Sequence, residues 1–472
     1  MNFNMEKECI SLCESGYRGR SEHAIDMDIT LPEYLPDIVR ILRCNCVPGV
    51  RSHQVNGDRI TAECTCLVRI LYINEQGKLY CFEQNIQFAK QIEIKSDDTS
   101  REFFVGAKSD YMNYRVSGQR RFELHGAVTV YAKSSSKKNC EIVTNATGDG
   151  ITLKSEKVEI CNLNTVVEKI FTVTETCDAG TLLEPMGTII SSSASGIIHE
   201  LKIVSNKLFL KGELIIHTAF TGADTGEVQT LENIININQI IEASDISDTS
   251  RVDARLTVCD LEIKPRFDLS GNKNLLDISV CVNFSGYGYE NKTINCIKDA
   301  YSVKYETNIK KSIIYTATIQ DEIDDTFLCR GIADLSSTGV SKVLSFMCTD
   351  MTSGFTVFEN NYSVTGEVTT EIIYEVIKGE ICFAQRSIPY EYSRTAPQTD
   401  GILTCNPDCV IAARSFVING DGQLDTRIEI NVRGFIFCEK ENIITSDAEY
   451  VKRLPSGGYG NNGATLYIPA FD

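Results

Sequence analysis

RITAECTCLVRILYI, residues 59–73, places Ile60, Ala62, Cys64, Cys66, Val68, Ile70 and Tyr72 on alternate positions. Thr61, Glu63, Thr65 and Arg69 fall between them. Successive side chains of a β-strand point to opposite faces, so this is a strand with one face against a core. The pattern returns in KLFLKGELIIHTAF from Lys207, where Leu208, Leu210, Gly212, Leu214, Ile216 and Phe220 alternate. It returns again in NYSVTGEVTTEIIYEV from Asn361, through Tyr362, Val364, Gly366, Val368, Ile372 and Tyr374. Each copy carries a small residue followed by glutamate: Ala62-Glu63, Gly212-Glu213 and Gly366-Glu367, at intervals of 150 and 154.

Two further strings keep the same order. IQFAKQIE from Ile86, ININQIIE from Ile235 and IPYEYS from Ile388 follow the first anchor at nearly equal spacing. Alternating strands then close each copy: Phe122, Leu124, Val128 and Val130; Leu276, Ile278, Val280, Val282 and Phe284; Leu424, Ile428, Ile430 and Val432. A period near 150 residues is far longer than a solenoid repeat, so each copy is expected to be a domain in its own right. Turn signals separate the strands at Asn56-Gly57, Gln76-Gly77, Thr225-Gly226, Gly271-Asn272, Lys378-Gly379 and Gly420-Asp421-Gly422. The fold class expected is all-β: three tandem β-sandwich or open-barrel-like repeats with few short helices. The clearest helix candidate is LPEYLPDIVRILRC, residues 31–44. There Leu35, Ile38, Ile41 and Leu42 share a helical face and Pro36 suits a first turn. The expected organisation is a polar lead-in at 1–20, β domains at 21–160, 161–310 and 311–452, and a Gly/Asn-rich tail at 453–472. The basic, serine-rich AKSSSKKN stretch at 132–139 marks the approach to the first boundary.

Composition bounds the function. Of 472 residues, 42% are hydrophobic and 23% charged, as in ordinary globular proteins. A net charge of -18 opposes nucleic acid or an anionic membrane surface as partner, since both need clustered positive charge. No run of about 18 apolar residues occurs, so no direct transmembrane anchoring is expected. The amino-terminal MNFNMEKECISLCESGYRGR lacks the basic-then-apolar form of an export signal. The 19 cysteines then point to a reducing compartment, where thiols serve as small buried hydrophobes.

Chemistry-bearing residues form no recognisable constellation. His23, His53, His125, His199 and His217 sit in no HExxH or HxH arrangement. Cys44/Cys46 and Cys64/Cys66 are the sharpest metal candidates, because residues two apart share a strand face. Cys64 and Cys66 nevertheless lie on the face of Ile60 and Val68, which reads as buried core thiols. Cys405 and Cys409 flank Pro407 and read as turn and strand residues. The SSSASG run at 191–196 lacks a nucleophile elbow, and no phosphate-binding glycine loop occurs. NGDGQLD from Asn419 reads as a hairpin turn, since it lacks the spaced ligands of a calcium loop. Asp321, Glu322, Asp324 and Asp325 read as a solvated loop, or else as a patch for a basic partner. Glu63, Glu213 and Glu367 read as outward-facing strand residues, with a repeated binding surface as the alternative. No catalytic, cofactor-binding or metal residues are expected, and no cofactor; protein-binding residues stay unassigned.

The strings resemble those of a known family. LPEYLPDIVRIL, from Leu31 to Leu42, is similar to the opening motif of SPOCS domains. The Arg120-Arg121 pair, the segments ITLKSEKVEI, FTVTET and DAYSVKYET, and Ile388-Pro389-Tyr390 also fit that pattern, over roughly residues 21–452. The opening motif is degenerate later, with only LLEPMGTII in the second copy and no prolines in the third. The chain thus resembles the SPOCS-domain family, the SipL-like and SpoVID-like spore-envelope and coat morphogenesis proteins. The resemblance implies a non-catalytic scaffold or adaptor attaching coat to the forespore surface in the mother-cell cytoplasm. Its implied partners are other spore-envelope proteins, with a SpoIVA-like basement-layer ATPase as candidate anchor. That ATPase is met in the family through a carboxy-terminal LysM module. No complete module is expected before Asp472; ATLYIPAFD is either its first strand or the native end. Two other classes compete: an adhesin-like secreted or surface β array, and a hydrolase with an inter-domain site.

Overall fold

A computed structural model describes residues 4–94, 102–148, 150–180, 182–420 and 422–453. Six strands build the first unit: β1 (Asn4–Thr30), β2 (Arg40–Asn56), β3 (Arg59–Ile73), β4 (Leu79–Glu93), β5 (Glu102–Gly118) and β6 (Arg121–Thr147). The second repeats them as β7 (Ile151–Asp178), β8 (Met186–Val204), β9 (Lys207–Gly222), β10 (Val228–Glu242), β11 (Arg251–Arg266) and β12 (Leu275–Ser302). In the third, β13 (Tyr305–Asp334) leads through a 3-10 turn to β14 (Val340–Met351) and β15 (Gly354–Phe358). There follow β16 (Asn361–Val376), β17 (Ile381–Thr395), β18 (Ile402–Thr404), β19 (Asp408–Ile418) and β20 (Gln423–Arg453). The second and fifth strands of the plan are each split in this copy.

Each unit is a sandwich of two antiparallel sheets. One sheet is β2-β3-β4, β8-β9-β10 or β14/β15-β16-β17, with the expected anchor strand at its centre. The other pairs the opening strand with the closing strand, in the orders β1-β6-β5, β11-β12-β7 and β13-β20 with β18 and β19. The alternating apolar positions meet between the sheets: Val68, Ile70, Tyr72, Phe122 and Leu124 are all 1% exposed or less. Such side chains contribute roughly 1.5–3 kcal/mol each on burial. Leu210, Leu214, Val280 and Phe284 do the same in the second unit, and Val364, Ile372, Ile428 and Ile430 in the third.

The segment expected as a lead-in is strand: residues 4–20 open β1 and pair along β6 as far as Thr147. β6 runs straight through AKSSSKKN. Strand pairing therefore ends one unit at Thr147 and opens the next at Ile151, and again ends at Ser302 and reopens at Tyr305, rather than dividing at 160 and 310. The opening strands lack clean alternation because only their second halves face a sandwich. Their first halves form two-stranded ribbons with the ends of the closing strands. Ile10, Ile142, Val158, Ile160, Ile294, Cys296 and Ile444 bring all three ribbons into one apolar cluster. The tail beyond Arg453 lies outside the described residues.

No helix forms at 31–44. Residues 31–39 are an irregular loop and Arg40 begins β2. Pro32 and Pro36 remove backbone donors and bias Leu31 and Leu35 away from helical backbone, while pairing with β3 captures the rest. Leu31 and Ile38 still enter the core, 3% and 6% exposed, so the loop closes that end of the sandwich. The turn expected at Asn56-Gly57 is a two-residue hairpin loop with Gly57 in left-handed backbone, φ 59°.

The three units close into a ring. The last strand of each central sheet touches the first of the next: β4 with β8, β10 with β14, and β17 back to β2. Leu71, Ile73, Leu79 and Cys81 of the first unit meet Ile190 of the second and Ile373 of the third. The outward faces of the central sheets are consequently buried too, with Thr65 at 3% and Arg69 at 4% exposure.

Candidate functional site

Two of the strings that carry the family resemblance meet in space. Arg120 reaches across the opening loop and donates from Nη1 to Asp37 Oδ1 at 2.5 Å and to the Leu35 carbonyl at 3.0 Å. Its Nη2 donates to the Pro32 carbonyl at 2.7 Å and to the Leu31 carbonyl at 3.4 Å. Prolines leave carbonyls without intrasegment donors, and one planar guanidinium supplies several at once. The backbone adds Leu31 N to Arg120 O and Ile38 N to Gln119 O, both 2.8 Å, and Tyr72 Oη donates to Pro36 O at 3.1 Å. The clamp holds Tyr34 outward, 83% exposed, beside Glu33 and Val39. A preorganised loop with a projecting aromatic suits recognition of another protein.

The recurring small residue before glutamate has a packing cause. A Cβ on Gly212 would lie 2.3 Å from the Ile197 carbonyl oxygen, and one on Gly366 would lie 1.9 Å from that of Thr352. In each unit the neighbouring strand is irregular there: bulges at Val50/Ser52 and Ile198/Glu200, and the β14–β15 break. The glutamates answer the same irregularity. Glu63 accepts from Ser52 Oγ at 2.8 Å, Glu213 pairs with His199 at 3.2 Å, and Glu367 N donates to Thr352 Oγ1 at 3.1 Å.

The remaining candidates are dispersed. His23 stacks on Phe88 at 4.0 Å, His125 meets Asp26 at 2.9 Å, and burial lowers the pKa of His53. His217 lies across β9 with Ser193 of β8 and Glu232 of β10 directly opposite on either side. Its Nδ1 is 3.3 Å from Glu232 Oε2, while its Nε2 has no hydrogen-bond partner, so Ser193 is not engaged by it. Burial, then Arg414, pushes His217 down to about 4.

Cys46 and Cys66 come into sulfur contact in the core, with Cα atoms 6.2 Å apart. Cys46 stands opposite Val68 and Cys66 opposite Pro48, so they are diagonal neighbours on the inner face. Cys44 and Cys64 remain free, each raised by burial to about 11. Cys405 is half-buried, and desolvation raises it to about 12. Among the described residues no group of three or more His, Cys, Asp or Glu is placed to hold a metal ion.

The acidic cluster is not a loop either. It lies in β13, where pairing with β20 holds it. Its basic partners are within the chain: Glu322 meets Arg251 at 2.8 Å, Asp324 meets Arg433 at 3.2 Å, and Asp325 meets Arg394 at 2.7 Å. Asn419 and Gln423 close the NGDGQLD segment as a hairpin turn, with Asn419 N donating to Gln423 O at 2.9 Å. Charged contacts of the same kind seal the junctions between units, which no single-strand pattern reveals. Arg51 of β2 meets Asp260 of β11 at 2.9 Å, and Thr65 Oγ1 donates to the same carboxylate at 3.1 Å.

Fold and loop together define a tandem all-β protein whose first unit presents a clamped loop between β1 and β2. Residues 37–118, from the end of that loop through β5, match the family model described as SipL, SPOCS domain. By this match the segment is a SPOCS domain, a kind of domain that points to a sporulation-related protein. No curated protein and no solved structure matches it.

Proposed function

We infer that this protein is a non-catalytic scaffold of the bacterial endospore envelope, helping to attach the coat to the forespore surface. The observation that carries this reading is the SPOCS match at residues 37–118, together with the Arg120-clamped loop at its edge. It works in the mother-cell cytoplasm, and its partners are other spore-envelope proteins, a SpoIVA-like basement-layer ATPase among them. The closed ring supports it, since rigid units hold a binding loop in fixed relation to the ribbon bundle. So does the acidic surface, which keeps a large assembly component soluble and suits basic partner surfaces. Deletion of the gene in the source organism tests the reading. Spores whose coat is detached or mislocalised by electron microscopy are expected; spores with normally attached coat would overturn it.

A further inference from the structure

A cavity of about 360 Å³ lies between the second and third units. Ser193 and His217 line it from one side, Leu256 and Val258 form its apolar wall, and Met351 and Arg414 face them from the third unit. Two groups on this lining lack what their chemistry requires. Arg414 forms no ion pair among the described residues; its contacts are to sulfur, with Nη2 donating to the thioether of Met347 at 2.9 Å and the side chain also hydrogen-bonding Cys348, both weak acceptors. The carboxylate whose field acts on it is that of Glu232, which also lies 3.3 Å from His217 Nδ1. His217, 7% exposed, has Nδ1 3.3 Å from that carboxylate and leaves Nε2 with no hydrogen-bond partner. A shielded cation with only sulfur partners and a polar ring nitrogen with none each cost free energy that a complementary ligand recovers.

The matching junction shows what a self-sufficient arrangement looks like. Between the first and second units, Arg51 is held by Asp260 at 2.9 Å and Glu262 at 3.7 Å, and Arg69 by Glu83 at 2.6 Å. The acids on the lining of the second cavity have other company. Asp350 is exposed and accepts from Met351 N at 2.8 Å, while Asp408 lies in the field of Arg255 and Arg433.

We propose that this cavity is a binding site for a small hydroxycarboxylate with an apolar tail. Its carboxylate sits on Arg414, its hydroxyl hydrogen-bonds His217 Nε2, and its tail packs on Leu256 and Val258. This inference is independent of the scaffold reading, because it concerns only the junction of two units.

Saturation-transfer NMR and thermal unfolding of the full chain with 2-hydroxyisocaproate test it, with 4-methylpentanoate as the matched acid lacking the hydroxyl. Saturable binding of the hydroxy acid is expected, about tenfold tighter than the plain acid. Arg414→Met is expected to lose both, and His217→Phe to bind the two equally. Absence of saturable binding to the unaltered protein would overturn the proposal, whatever the variants do. So would full retention of binding in Arg414→Met, or an unchanged preference in a folded His217→Phe.

Discussion

Arg43 in β2 and Glu371 in β16 form a buried ion pair across 328 positions of sequence. Arg43 Nη2 also donates to the Ile190 carbonyl of β8 at 3.2 Å, so one guanidinium joins all three units. Their side chains are 7% and 13% exposed, and the apolar cluster of Leu71, Ile190 and Ile373 surrounds the junction.

Removing one partner strands the other charge in that junction. Arg43→Met or Glu371→Leu is expected to cost about 3–5 kcal/mol, while the double replacement costs much less than their sum. Urea unfolding of the four proteins checks this. Equal, additive losses would mean that the two residues act separately.

The repeated small residue is a packing requirement and the glutamate beside it is not. Gly212→Val and Gly366→Val press a Cβ onto a neighbouring carbonyl, an overpacking expected to cost about 1–3 kcal/mol or more. Glu63→Gln and Glu367→Gln, on exposed side chains, are expected to stay within about 0.5 kcal/mol. Denaturant midpoints decide it; the reverse ranking would return the glutamates to the list of functional candidates.

His217 makes stability depend on acid. Its folded pKa of about 4 lies below the ordinary 6.5, chiefly through burial and then through Arg414. The unfolded chain therefore takes up the proton first. The contribution is fully present above 6.5 and is lost as pH falls from 6.5 toward about 4, roughly 3 kcal/mol in all. His217→Asn should lack that part of the slope, leaving His23 and His53, which burial also lowers. Matching pH–stability curves for the two proteins would contradict it.

Arg120→Met should free the opening loop without unfolding the sandwich. The side chain is 33% exposed, so solvent screening holds the loss to about 1–2 kcal/mol. Amide exchange at Leu31 and Ile38 should quicken while that of Val68 and Ile70 stays slow. Uniform exchange across all four would show that the loop is not a separate local unit.

The anchor strands β3, β9 and β16 were legible because each buries one face in its own sandwich, and a single sequence carries that period. The ribbon halves of β1, β7 and β13 were not, since their contacts are to other ribbons and follow no simple alternation. The helix expected at 31–44 failed for a local reason, two prolines, and a distant one, pairing with β3. Arg69 and Thr65 looked solvent-facing because only one unit was in view; neighbouring units cover them. A signal existed in the second copy, where Ile215 and Ala219 stand at the supposedly outward positions and are 3% and 0% exposed. Arg414 and His217 gave no comparable sign, because their cavity exists only once the second and third units are docked.

Localisation of a fluorescently tagged copy in sporulating cells of the source organism tests the scaffold reading most directly. A shell around the forespore, lost when the basement-layer ATPase is deleted and weakened by Tyr34→Ala, is the expected result. A signal spread evenly through the mother cell, or present only in vegetative cells, would contradict it.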